Sequence, residues 1–138
     1  MNFFLQILLW GFVAGIIHFL VLGVLYMNPV VEHIYKSTQG HSAVKRHKNQ
    51  KEYILKMFLG TQVEVYIVTA SFLYLRQFID LDIWPTTIML GLIFSGIRIY
   101  PRFWNMWIQT NYPNKLLVIE FVNGTIGTFI ILTVLTYV

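Results

Sequence analysis

The chain has 138 residues, enough for one domain and no second core. Its 57% hydrophobic and 12% charged composition, with a mean hydropathy of +0.63, excludes a water-soluble fold, because a domain this small buries only about 60–70% of its surface. The absence of cysteine excludes disulfides, thiolate metal sites and a cysteine nucleophile, and the net charge of +4 is read as a topology signal rather than a nucleic-acid footprint, because the basic residues are concentrated in one short segment.

Residues 3–27 form the first predicted span: a helix of roughly 20 apolar residues crosses the hydrocarbon while satisfying its own backbone. Met1 and Asn2 carry no Lys or Arg, and the apolar run is too long for a signal-peptide core, so this segment is expected to stay in the mature protein. Asn28 and Pro29 end the span. In residues 28–52, the one sizeable loop, Val30, Val31, Ile34 and Tyr35 are spaced to share a face of a short interfacial helix; the alternative is a solvated basic loop drawn to anionic lipid.

The second span is predicted over 53–74, the third over 83–107 and the fourth over 116–138. Asp80, Asp82, Trp84 and Pro85 separate the second and third, and Asn111, Pro113 and Asn114 make the last turn. Pro101, inside the third span, is expected to kink that helix or end its regular part. The predicted fold class is all-α, an integral membrane four-helix bundle.

Cations set the orientation. Lys36, Lys45, Arg46, Lys48, Lys51 and Lys56 belong to the first loop and its flanks, Arg102 and Lys115 to the third connection, and the other side offers Arg76 beside two aspartates. The positive-inside rule then places these loops in the cytoplasm and both termini on the non-cytoplasmic side. Tyr26, Tyr35, Tyr53, Trp84, Trp104, Trp107 and Tyr112 mark the two interfaces as an aromatic belt.

Ionisable residues at membrane depth are costly and usually pair inside the bundle. His18, Glu64, Arg98, Arg102 and Glu120 all fall in the middle or cytoplasmic half of the spans. Helical spacing places Arg98, Arg102 and Asn105 on one face, Glu120, Asn123 and Gly127 on another, Gly60 with Glu64 on a third, and Gly11, Gly15 and His18 on a fourth. The four stripes are expected to converge.

Three chemistries fit such a cluster. Glu64 and Glu120 can pair with Arg98 and Arg102 as a structural network. His18, Glu64, Arg98, Arg102, Glu120 and Asn123 can instead line a cytoplasm-facing pocket for an anionic head group or small anion, using the arginine fork. A proton relay through His18 and Glu64 is the third. His33, His41 and His47 lack close ligand spacing, so no metal is expected. No nucleophile elbow, phosphate loop or dinucleotide fingerprint is present, so no catalytic residue and no cofactor is assigned.

The run Leu22-Gly23-Val24-Leu25-Tyr26-Met27-Asn28-Pro29, followed by an amphipathic stretch to Gly40, resembles the signature of a bacterial membrane family catalogued as domain of unknown function 1761. The segment from Asn111 to Glu120 is similar to that family's last span. This resemblance implies four spans, a long first loop and a bacterial inner-membrane location, and brings no activity. Asn49, Glu52 and Arg98 loosely resemble the membrane-associated eicosanoid and glutathione metabolism proteins, which would imply a trimeric transferase. Lipid or anion binding or transport, an accessory subunit, and that enzyme are therefore the function classes open to the chain. Membrane lipids, further copies of the chain and a second membrane protein are its expected partners; nucleic acid is not.

Overall fold

A computed structural model describes residues 2–44 and 49–138, so Met1 and the loop residues Lys45, Arg46, His47 and Lys48 lie outside the described residues. Six α-helices make up the described fold: α1 (Phe3–Tyr26), α2 (Pro29–Ser37), α3 (Gln50–Leu75), α4 (Ile83–Arg98), α5 (Tyr100–Gln109) and α6 (Asn114–Leu135). A 3₁₀ turn, Arg76–Phe78, extends α3. No strand occurs among the described residues. Among the described residues, four segments are long and apolar enough to cross a membrane: Phe3–Tyr26, Gln50–Phe78, Ile83–Gln109 and Asn114–Leu135.

Asparagines start three of the helices. The side chains of Asn2, Asn28 and Asn49 accept from backbone N–H groups of the following turn, which satisfies donors that a helix start leaves unpaired. Asn49 bonds the N–H groups of both Lys51 and Glu52, and Lys56 pairs with Glu52 at 2.6 Å one turn on. This capped, charged turn starts α3 three residues before the apolar run from which the span was predicted.

Pro101 splits the third span. Lacking an N–H, it cannot bond the carbonyl four residues back, and the regular helix stops at Arg98, with Ile99 as a joint before α5. In the first loop, Pro29–Ser37 is a helix, with Val31, Ile34 and Tyr35 half-buried against the bundle and Glu32, His33 and Lys36 exposed. Tyr26 and Tyr35 meet edge to face there.

Lipid is as apolar as leucine, so close packing and polar contacts, rather than burial alone, must hold spans together. Glycines supply the close packing. Gly11 lies under Tyr66 and Gly15 under Gln62, and one turn further Phe19 meets Phe58, so α1 and α3 run antiparallel in even steps. On α6, Gly127 lies under His18 and Gly124 under Ile99, while Gly91 of α4 lies under Phe129. Helix α6 is thus central, packed on α1, α3, α4 and α5.

The apolar core is offset along the bundle axis. Ala14, Val65, Val68, Phe72, Leu73, Leu90, Phe94, Ile131, Leu132 and Leu135 fill the half nearest the termini. That end is closed by Arg76, whose Nη2 donates to the Val138 carbonyl at 3.0 Å, and by ring contact between Trp84 and Tyr137. The side chains that form interhelical ion pairs lie at mid-depth and toward the opposite, loop-side end. Large apolar residues such as Leu20, Val24, Val63, Ile67, Leu92 and Ile97 cover the outside, as a lipid-facing surface requires.

Candidate functional site

Among the described residues, two ion pairs cross between helices, at different depths. In the middle of the bundle, Arg98 at the end of α4 reaches across to Glu64, the fifteenth residue of α3: Nη2 lies 2.7 Å and Nε 2.9 Å from the same oxygen, Oε1. Its remaining nitrogen, Nη1, donates at 2.9 Å to the Thr128 hydroxyl on α6, which in turn donates to the Gly124 carbonyl. All three guanidinium nitrogens are therefore engaged. The Arg98 side chain is 14% exposed and that of Glu64 49% exposed.

The second pair lies toward the loop side. Arg102 Nη2 contacts Glu120 Oε2 at 3.1 Å, and the Tyr112 hydroxyl donates to Glu120 Oε1 at 2.6 Å, so both carboxylate oxygens are taken. Arg102 is 69% exposed and Glu120 22%. Burial, and then the bond to Glu120, raise the Tyr112 phenol above the usual tyrosine range, which keeps it a neutral donor. Burial likewise raises Tyr35, followed by its neighbours Tyr26 and Glu120.

His18 and Asn123 are both buried, on the seam between α1 and α6. The His18 ring packs on Gly127, through Nε2, and lies within electrostatic reach of Arg98 and Glu64. Asn123 is one turn nearer the loop side, beside Tyr26. His18 Nδ1 and Asn123 Nδ2 have no hydrogen-bond partner in the protein.

The expected convergence of four stripes resolves differently. The joint at Ile99 separates the two arginines onto different helices, so Arg98 joins Glu64 and Arg102 joins Glu120, while Asn105 is exposed. Gly60 meets nothing within 4 Å, and Glu64 is exposed rather than interior. The buried stripe of α3 runs through Gln62, Val65, Val68, Thr69 and Phe72, and Glu64 borders it, one turn before Val68. The stripes of Gly11, Gly15 and His18, and of Asn123 and Gly127, do face inward.

Three contributors escape a sequence reading. Thr128 reads as an ordinary apolar-helix threonine, Tyr112 as a belt aromatic, and Gln62, whose Nε2 donates to the Gly11 carbonyl at 3.2 Å, carries no charge to attract attention. Gln62 and Glu64, two residues apart, fall on different sides of α3, one buried and the other exposed.

Asn49 and Glu52 do not join Arg98. They cap and brace the start of α3, with Glu52 about 18 Å and Asn49 about 22 Å along that helix from Glu64. Beside α2, Ile34, Asn114, Lys115, Val118 and Ile119 line a shallow groove of about 370 Å³. Comparison of the chain with known protein families, with curated proteins and with solved structures returns no match.

Proposed function

We propose that the protein is a non-catalytic membrane subunit, set in a bacterial inner membrane with its basic loop in the cytoplasm, that docks on a helix of another membrane protein through the α3 face bearing Gly60 and Glu64. The observation that carries this reading is the half-exposed Glu64 carboxylate at mid-span. Among the described residues, Arg98 holds one of its oxygens and nothing bonds the other. A carboxylate open to acyl chains at that depth is costly, and a hydroxyl, amide or ammonium donor on a neighbouring helix removes the cost.

Gly60, one turn along and open, lets another backbone approach, and the flanking Val63 and Ile67 are each 62% exposed. Two-fold pairing of this chain with itself across that face would set Glu64 against Glu64, a repulsive arrangement, so the partner is a different chain. A photo-crosslinking residue at Ile67 tests the reading in native membranes. Crosslinks to one discrete membrane protein, abolished by Glu64→Leu and by Gly60→Leu, are expected; crosslinks to lipid alone, unaffected by either change, would overturn it.

A second reading, an anionic lipid site, is favoured by Arg102. Its guanidinium gives one nitrogen to Glu120 and is otherwise open on the loop side. A phosphate head group suits that fork. Arg98 suits it less, because an anion there would have to displace Glu64 and Thr128.

A further inference from the structure

We propose that the seam between α1 and α6 is a one-sided water site, in which ordered water bound to His18 Nδ1 and Asn123 Nδ2 links the Arg102–Glu120 pair at the loop side to the Arg98–Glu64 pair at mid-membrane. The proposal is independent of the docking face, which lies on the outside of α3.

Two polar side chains on this seam are almost fully removed from the surface, His18 at 4% and Asn123 at 6% exposure, and each keeps a polar atom without a protein partner, Nδ1 and Nδ2 respectively. A buried donor or acceptor left unmade costs about 1–3 kcal/mol. Lipid offers no partner. Water, which bonds about three polar groups when buried, does.

The path is laid out in steps of one helical turn. Glu120, held by Tyr112 and Arg102, begins it; Asn123, beside Tyr26, comes next; the His18 ring follows over Gly127, where the missing side chain makes room for it; and the adjoining Thr128 carries Arg98, which carries Glu64. Toward the termini the seam closes on Ala14, Ile131, Leu132 and Leu135, all at 0% exposure. Water therefore reaches the central ion pair from the loop side and stops there.

The chain has no cysteine, so one introduced thiol reports alone. Asn123→Cys is expected to react with a small membrane-impermeant methanethiosulfonate added on the loop side at least about tenfold faster than Leu132→Cys, and to resist the same reagent added on the terminal side. Equal inertness of the two thiols, or equal labelling from both sides, would overturn the proposal. Water-edited solid-state NMR on the unsubstituted chain in bilayers gives a reading free of any folding defect in the variants. Water magnetisation is expected to reach the Arg98 guanidinium faster than the Ile131 methyl groups; equal build-up at both would overturn the proposal.

Discussion

Arg98 gives two of its nitrogens to a single oxygen of Glu64 and the third to Thr128, so one guanidinium ties α4 to both α3 and α6 at mid-depth. A one-oxygen grip holds the carboxylate in place without covering it. The outer loop-side pair is built the opposite way, with Glu120 fully engaged and Arg102 open.

These different exposures predict different coupling. In double-mutant cycles with Arg98→Met and Glu64→Gln, read by reversible unfolding in detergent, the coupling energy is expected to be about 1–2 kcal/mol, short of the range for fully buried pairs because Glu64 is half-exposed. Arg102→Met with Glu120→Gln is expected to couple by less than about 1 kcal/mol. Arg98→Met alone is the more damaging arginine substitution, since it strands both Glu64 and Thr128.

The glycines divide the same way. A side chain at Gly15 would run into Gln62, so Gly15→Leu is expected to destabilise the bundle by about 1–3 kcal/mol. At Gly60 there is open space, and Gly60→Leu is expected to leave thermal stability in detergent unchanged or slightly raised, as leucine is the better helix former. Equal losses at the two positions would show that α3 does not present the face described.

Alkaline titration tests the loop-side cluster. Because the Tyr112 phenol is raised in the folded chain above its ordinary value of 10.0, the folded state holds a proton that the unfolded state has released in the range above that value. Its contribution to stability is complete below about pH 10 and is lost as the pH climbs toward the raised folded value. Thermal melts are expected to show this loss, and Tyr112→Phe to flatten it, with a lower plateau at pH 7 because Glu120 Oε1 loses its donor.

Pro101→Ala should restore the missing backbone donor and join α4 to α5. Spin labels at Ile83 and Gln109 are expected to move toward the ~39 Å separation of a straight helix of that length. Arg102 should then swing away from Glu120, and the coupling between those two residues should fall.

Much of the fold is legible in the chain because lipid imposes strict rules. Twenty-residue apolar runs, Asn-Pro punctuation and the internal proline point to four spans and to the joint at Ile99. The start of α3 is not legible in hydropathy, since Asn49 and the Glu52–Lys56 brace are polar. At the site, charge identifies the four ionisable residues that form the pairs, but helical spacing alone misplaces them. Arg98 and Arg102 are i, i+4 in an unbroken helix and share a face only there; with the joint between them they part. Gly60 and Glu64 show the same limit, because periodicity says which residues share a stripe and leaves open which stripe turns inward. Thr128, Tyr112 and Gln62 are recruited by neighbours far away in sequence, which no local pattern encodes.

The contact between Arg98 and Glu64 is most directly measured by dipolar recoupling between ¹⁵N-labelled arginine and ¹³C-carboxyl-labelled glutamate in lipid bilayers, with Glu64→Gln as the assignment control. A nitrogen 2.7 Å from a carboxylate oxygen should give strong recoupling from the Arg98 guanidinium that is lost in the control, while the Arg102–Glu120 pair at 3.1 Å supplies the recoupling that remains. Recoupling that survives Glu64→Gln in full, or none from the Arg98 guanidinium, would contradict the account.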